Sequence, residues 1–575
     1  MGELLRSAAP GLGLLSSYRR SWLSKDLVAG LVLTALLVPQ GMAYAELAGL
    51  PTITGLYTSI LCLVGYAIFG PSRVLVLGPD SSLGPMIAAT IIPIVGAGGD
   101  PQRAVALASM LALLVGVMTV LAGVAKLGFV ADLLSKPTQI GYLNGLALTI
   151  LVGQLPKLFG FSVDADGLIP EAAGFAKGLG DGETVAAALA IGLLGLVLII
   201  LLERLVPKVP AVLVAVIVSI LAANAFGLAD HGVSLVGPLP QGFPPLTVPS
   251  VPLSDLALLV AGAVGIAVVS LTDTISTASA FAARAGQEVD GNREMIGIGA
   301  ANIGAGFFQG FPVSTSGSRT AVAEQAGAKS QVTGLVGALA ITLMLLVAPG
   351  LLRNLPQPTL AAVVITASLS LADIPGTVRL WRQRRTEFML SMAAFAGVAL
   401  LGVLPGIAIA VALSIGNVFR RSWWPYQTVL GRAPGVPGYH DVRSYPDAEQ
   451  LPGCVLFRFD APLFFANART FRDQIRRLAR SEPPPKWIVV AAEPITDVDT
   501  TAADMLEDLD EALNAQGISL VFAELKDPVR EKIERYELTR TIDPTHFFPT
   551  IGAAVAAFRE RFEADWAPTA DKQPS

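Results

Sequence analysis

Charge is what this sequence has least of. Asp, Glu, Lys and Arg make up 15% of its 575 residues, where soluble globular chains carry about 25%, and the mean hydropathy is +0.61. The deficit is uneven: residues 431–575 hold 41 of the 85 charged side chains, and residues 1–430 hold the other 44. A membrane-embedded body followed by a water-soluble tail is expected, not one soluble enzyme and not a disordered chain. Cysteine and histidine are scarce too, at two and three residues. Cys62 and Cys454 fall in different parts of the chain, which excludes a disulfide scaffold and leaves no structural metal cluster. A net charge of −5 supplies no basic field, which excludes a nucleic-acid binder. No glycine-rich phosphate loop follows any strand-like run, so an ATP-driven motor is set aside. No nucleophile–base pair stands out, so no enzyme and no cofactor is expected.

Long apolar runs are what is there. A bilayer core of about 30 Å takes about 20 apolar residues per helix. Twelve runs qualify: 27–47, 53–70, 104–123, 138–156, 184–202, 209–227, 256–283, 295–311, 331–351, 359–372, 386–402 and 404–419. Two more, 81–95 and 316–327, are short, polar at their beginnings and interrupted by Gly or Pro. Counted as half-spans they stand third and tenth of fourteen, at corresponding positions of two seven-segment halves. An odd number of spans per half inverts the second half. Paired interrupted segments in such halves point to a transporter's midplane binding site.

Arg and Lys are concentrated in alternate loops. Arg19, Arg20 and Lys25 precede the first run. Arg204 and Lys208 follow the sixth segment, Arg284 and Arg293 the eighth, and Arg379, Arg382, Arg384 and Arg385 the twelfth, while Arg420 and Arg421 close the series. The opposite loops are acidic or neutral, such as DADGLIPEAAGFAKGLGDGE at 164–183. The positive-inside rule puts both termini in the cytoplasm, and the cell's inner (plasma) membrane is the expected location. The first 26 residues lack an apolar core with a cleavage site and are expected to be retained.

Beyond residue 435 strands alternate with helices. CVLFRFD (454–460), PLFF (462–465), WIVVAA (487–492) and ISLVFAEL (518–525) read as strands. ARTFRDQIRRLAR (468–480), TAADMLEDLDEALNAQ (501–516), DPVREKIERY and IGAAVAAFRERF read as helices. The expected organisation is a cytoplasmic segment 1–25, a transmembrane domain 26–421, a linker 422–450, a cytoplasmic α/β domain 451–565 and a tail 566–575.

Two motifs carry a resemblance. VPQGMAYAELAGLP (38–51) with GLY (55–57), and NIGAGFFQGFPVSTSGSRTAVAEQAGAKS (302–330), resemble signatures of the sulfate permease (SulP) anion transporters, and the tail resembles their STAS domain. The resemblance implies an α-helical polytopic fold of two inverted seven-span repeats forming core and gate domains, a small α/β STAS domain, and homodimerisation. It also implies an anion of the sulfate, bicarbonate or dicarboxylate class held between the facing starts of the third and tenth half-helices. Ser81 and Ser82 on one side, and Ser316, Gly317 and Ser318 on the other, suit that role. Helix N-termini present partial positive charge and N–H donors, and small residues let an oxyanion approach. Serines at these points also serve as helix caps.

Arg319 is expensive at membrane depth and has two readings: it supplies positive potential to the anion, or it bridges to Glu324 or Asp273. Asp273, mid-span, shares a helix face with Thr277. With Thr315 these are the candidates for binding a coupling ion, H⁺ or Na⁺. The family commonly has glutamate, or in a sodium-coupled bicarbonate subgroup aspartate, at position 273. Asp80 departs from the family pattern and would repel an anion if it faced the site. Gln40 and Tyr44 are expected to line the cavity, and Glu46 is a candidate for a proton path. Thr501 in VDTTAADML matches the phosphorylated position of related STAS proteins, with helix capping as its alternative. An uncoupled anion channel or exchanger on the same fold is the competing reading.

Overall fold

The computed structural model describes residues 9–96, 99–128, 135–163, 165, 167–206, 209–284, 288–564 and 566. Lys208, Asp164 and Asp166 of the loop-charge argument, and all of the 566–575 tail except Trp566, lie outside them. The apolar runs fold as helices. In chain order the helices are α1 Pro10–Ser16, α2 Leu23–Leu47, α3 Thr52–Phe69, α4 Gly84–Val95, α5 Pro101–Val124, α6 Lys136–Phe159, α7 Leu168–Gly180, α8 Ala186–Leu205 and α9 Ala211–Phe226. They continue as α10 Leu253–Arg284, α11 Gly291–Phe307, α12 Gly317–Gln325, α13 Val332–Val347, α14 Gln357–Leu371, α15 Ile374–Gln383, α16 Arg385–Leu401 and α17 Val403–Trp423. Each of the fourteen expected segments is a helix; α1, α7 and α15 are additional.

On length and composition, seven helical stretches among the described residues can cross a membrane, against the twelve expected; Gln357–Gln383, α14 and α15 taken together, counts as one of the seven. The expected runs 138–156, 209–227, 295–311, 331–351 and 386–402 fall short for two reasons. α6 carries Gln139, Asn144, Gln154 and Lys157, which lower its hydropathy. The other four are 16 or 17 residues long; Gly227 (φ +55) and Gly402 (φ +95) stop two of them in conformations that glycine adopts without strain.

The helices form two bundles. One packs α2–α5 with α10–α13; the other packs α6, α8, α9, α14 and α16. Glycine sets the closeness of the first. A Cβ on Gly55 would lie 1.9 Å from the Gly41 carbonyl oxygen, and one on Gly299 would lie 2.7 Å from that of Gly116, so these backbones touch directly. Buried Asp26 at the start of α2 accepts from Ser330 Oγ (2.7 Å), Thr333 Oγ1 (3.1 Å) and the Lys329 N–H (2.6 Å), fixing the entry to α13.

The chain divides into two units, Met1–Ile415 and Gly416–Ser575. In the second, a six-stranded sheet has the order β4-β3-β5-β6-β7-β8. Its strands are β3 Gln427–Arg432, β4 Tyr439–Asp441, β5 Cys454–Phe459, β6 Trp487–Ala491, β7 Ser519–Ala523 and β8 Phe547–Phe548. From β5 to β8 the strands are parallel, and β6, buried at every position, reads as an unbroken apolar run. Helices α18 Ala468–Ala479, α19 Thr500–Asn514 and α20 Asp527–Arg535 contribute to the core on one face of the sheet, and α21 Ile551–Arg561 to that on the other. Two expectations are corrected. The stretch 422–450 is not a bare linker, because β3 and β4 pair antiparallel within it. PLFF is not a strand: Leu463 makes one isolated bridge to Val498, while the Phe464 and Phe465 N–H groups donate to the Asn467 and Asp499 side chains.

Asp510, buried on α19, accepts from Asn514 Nδ2 at 2.9 Å. Burial pushes its carboxyl up to about 6 from the ordinary 3.8, with the Asn514 bond opposing. The folded unit then binds the proton more tightly than the unfolded chain, so its stability falls as pH rises from about 4 to about 6, by about 1–3 kcal/mol. Hydrogen-exchange protection of Trp487–Ala491 in the full chain, corrected for intrinsic exchange, is expected to be higher at pH 5 than at pH 7. Asp510→Asn should abolish that difference; a pH-independent wild type would contradict the assignment.

Candidate functional site

Two short strands bring the two half-helices together. β1, Leu77–Gly78, precedes α4, and β2, Ser314–Thr315, precedes α12. They pair antiparallel with Leu77 opposite Thr315 and Gly78 opposite Ser314. The Ser316 N–H extends the pairing to the Val76 carbonyl (3.1 Å), and the Val76 N–H donates to Thr320 Oγ1 (3.1 Å). Side chains hold the flanks in place of lattice partners: Gln331 Nε2 donates to the Ser72 and Leu75 carbonyls, Asn302 Oδ1 accepts from the Val313 N–H, and Ser270 Oγ donates to the Val313 carbonyl. Irregular backbone inside a membrane domain needs such partners.

The segment leading into α4 and the start of α12 face one cavity of about 1110 Å³. Its lining includes Gln40, Tyr44, Ser81, Ser82, Asp273, Thr277, Thr315, Ser316, Gly317, Ser318 and Arg319, that is, every transmembrane residue singled out for substrate or coupling ion, together with Asp80. Glu46 is not among them; it accepts from Lys157 Nζ at 2.9 Å. Gln139, Glu203, Ser276, Gln325, Thr366 and Ser370 line the cavity as well and were missed. The signal available was faint: Ser276, Thr366 and Ser370 have other hydroxyl residues in the same runs, and nothing local marks the ones that face the cavity.

The local chemistry differs from expectation at three points. Ser81 and Ser82 do not open α4, which begins at Gly84; they form a turn closed by the Leu83 and Gly84 N–H groups on the Asp80 carbonyl. The turn is imposed by Asp80, whose Oδ1 accepts both the N–H (2.9 Å) and Oγ (2.8 Å) of Ser82. Arg319 bridges to neither Glu324 nor Asp273 in the contacts resolved; its ion pair is with Asp80 Oδ2, at 3.5 Å. Asp273 instead lies 3.1 Å from Ser82 Oγ.

At the other start, Ser316 is a true N-cap, accepting from the Arg319 N–H (3.4 Å) and lying 3.0 Å from Ser318 Oγ. Gly317 and Ser318 are exposed to the cavity, while Arg319 is 1% exposed. Its Nε, Nη1 and Nη2 have no hydrogen-bond partner among the described residues, and neither do the buried Ser314 Oγ and Thr315 Oγ1. The arrangement offers an oxyanion charge-assisted donors beside a helix N-terminus. Nearby, a carboxylate and hydroxyls can take a cation. No group of three or more His, Cys, Asp or Glu able to hold a metal occurs among the described residues.

In the second unit, Thr501 does not cap α19. Asp499 does, accepting from the Ala502 N–H at 2.8 Å, and Thr501 sits exposed in the first turn. Cys454, buried in β5, has its thiol pushed up to about 12 by burial, so it is not a reactive thiolate.

A helical membrane body, interrupted helices meeting at a polar cavity and an appended α/β unit define a multi-pass membrane transporter. Residues 23–394 match the Sulfate permease family and residues 445–554 match the STAS domain; the chain belongs to the sulfate permease family. A probable sulfate transporter of Mycobacterium tuberculosis is 42% identical over 554 residues, 96% of this chain and 98% of the relative. The probable sulfate transporter 3.3 of Arabidopsis thaliana is 31% identical over 584 residues, 96% and 92% of the two chains. In fold the chain is similar to the murine Solute Carrier 26 family member A9 anion transporter in its inward-facing state, with a TM-score of 0.88, 24% identity and 97% and 95% of the two chains covered. The transmembrane domain of the cyanobacterium bicarbonate transporter BicA gives a TM-score of 0.60 at 21% identity, over 68% of this chain and 98% of that one. These relatives are transporters, and this chain is not an enzyme.

Two glycines test the site by steric means alone. A Cβ on Gly78 would lie 2.5 Å from Arg319 Nη1, whereas one on Gly317 meets nothing within 4 Å and points into open space. Gly78→Ala should displace the guanidinium and weaken anion binding by a hydrogen bond to charge, about 1.5–3 kcal/mol or at least tenfold. Gly317→Ala should leave thermal stability unchanged while narrowing the anion's approach. Unaltered anion affinity in both variants, read by isothermal titration, would move the site elsewhere.

Proposed function

We propose that the chain is a secondary active transporter of a small anion of the sulfate, bicarbonate or dicarboxylate class. In this reading the anion is held between the Ser81–Ser82 turn and the start of α12, and is moved by alternating access of the α2–α5/α10–α13 bundle against the other. The observation that carries the reading is Arg319: a buried guanidinium with unpartnered donors is tolerated where a mobile anion supplies the missing partner. The two short helices, each preceded by a two-residue strand of an antiparallel pair, are what two inverted seven-span repeats would produce. The relatives' names, sulfate transporters at 42% and 31% identity, support sulfate among the candidates. An inner-membrane location with both termini cytoplasmic, and a homodimer, complete the proposal.

Charge balance supplies a coupling mechanism. Asp80, Asp273 and Arg319 face one cavity. Glu203 lines it too, so with the acids ionised the lining is net negative and repels an anion; a cation bound at Asp273 removes one of the negative charges near Arg319. Geometry favours H⁺. Ser82 Oγ carries one proton yet contacts Asp80 Oδ1 at 2.8 Å and Asp273 Oδ2 at 3.1 Å, and a protonated Asp273 would donate the second bond itself. Na⁺ on Asp273, Thr277 and Thr315 is the alternative ion. Inward movement of an anion against a negative-inside potential costs about 2.3 kcal/mol per charge per 100 mV, so accumulation needs such a partner.

Asp273→Asn keeps size and hydrogen bonding and removes the charge. Arg319 keeps its Asp80 partner, so the variant is expected to fold. In proteoliposomes with Na⁺ and pH gradients imposed separately, concentrative uptake of labelled anion should vanish while exchange persists. A stable variant that still concentrates its substrate would overturn the coupling role, and wild-type flux indifferent to both gradients would favour the uncoupled channel or exchanger.

A further inference from the structure

The link between α14 and α16 takes no part in the transport site, yet it is a built element. α15 is capped by Asp373, whose Oδ1 accepts from the Gly376 N–H at 2.8 Å. It is tied to α6 by Asn144, which accepts from the Asp373 N–H (2.7 Å) and donates to Thr377 Oγ1 (2.8 Å). At 100° per residue the helix divides into three strips. Gly376 and Leu380 are buried against the bundle. Ile374, Val378 and Trp381, at i, i+4 and i+7, form a second strip and are 60%, 43% and 53% exposed. Arg379 and Arg382 lie on the third, exposed, with Arg384 and Arg385 immediately after.

Arg384 pairs with Glu387, and the Arg385 guanidinium lies 5.6 Å from the Trp381 ring centroid. Arg379 and Arg382 have no ion-pair partner among the described residues. With Ile374, Pro375, Val378 and Gln383 they line a groove of about 560 Å³. Leu369 of α14 and Met389 of α16, in the adjoining helices, are exposed apolar side chains as well.

We propose that α15 is an interfacial helix that seats the headgroup of an anionic phospholipid. A buried strip, an exposed apolar strip and a cationic strip, in that rotational order, match a helix at the boundary of acyl chains and headgroups. Ile374, Val378 and Trp381 enter the acyl boundary, and the free guanidinium groups of Arg379 and Arg382 hold the lipid phosphate across the groove.

Native mass spectrometry of the purified full chain with phosphatidylglycerol and phosphatidylcholine tests this. Wild type should retain phosphatidylglycerol preferentially, and Arg379→Gln/Arg382→Gln should lose retention by about fivefold for each arginine removed. Arg379→Lys/Arg382→Lys should keep most of it, and millimolar inorganic phosphate should not displace it. Equal retention by the glutamine variant, or displacement by free phosphate, would overturn the proposal. So would cross-linking from a photoreactive residue at Val378 to another polypeptide in native membranes. Should the glutamine variant not fold, brominated lipid must quench a fluorescence component of the wild type that Trp381→Phe lacks; its absence would likewise overturn the assignment.

Discussion

A buried guanidinium is the constraint on which the rest of the transmembrane unit turns. Arg319 is 1% exposed, has one carboxylate 3.5 Å away and no hydrogen-bonded partner among the described residues. Such a charge is costly to hold inside a membrane protein. The surrounding features accommodate it: Gly78 leaves room for Nη1, β1 pairs with β2 so that Asp80 reaches across from the other half-helix, and Ser316 caps the turn that carries it. Each of these gives the guanidinium a fixed place beside the cavity, with its donors unpartnered. In the proposed function, a bound anion is the partner those donors lack.

The same logic separates rigid from mobile parts of the unit. Around α2, α3, α5 and α11, glycine contacts bring backbones together without side chains between them. The bundle of α6, α8, α9, α14 and α16 faces the cavity with Gln139, Thr366 and Ser370 and touches the first bundle mainly along α2. Glu46 and Lys157 join α2 to α6 by one part-buried ion pair at 2.9 Å, across the seam between the two bundles.

Much of this was legible in the sequence because its signals are local. Apolar runs mark the helices, and the two that begin polar and end early, 81–95 and 316–327, identify the paired half-helices. Ser81, Ser82, Ser316, Gly317 and Ser318, at or just before the two short helices, all reach the cavity. What was not legible depends on pairing between distant residues. That Asp80 is the partner of Arg319 follows from the β1–β2 register, which two residues per strand are too few to announce. Asp80 also forms the turn that moves the start of α4 from Ser81 to Gly84, a local Asx preference overriding the helix pattern. In the soluble unit, β3 and β4 lie in a stretch with Gly431, Gly435, Gly438, Pro434 and Pro437, whose turn residues disguised a hairpin as a linker. Thr501 was read as a cap because Thr caps well; Asp499, two residues earlier, does so instead.

The central claim is that the anion sits at the start of α12 beside Arg319, and substrate protection of an introduced thiol tests it most directly. Ser318 is exposed to the cavity, while Cys62 and Cys454 are buried, so Ser318→Cys supplies one accessible thiol. Its rate of modification by a small charged methanethiosulfonate should be measured with sulfate, bicarbonate and a dicarboxylate present in turn. The account predicts that the transported anion slows modification with a concentration dependence matching its half-saturation for uptake. A rate unchanged at saturating concentrations of an anion that the variant still transports would contradict it.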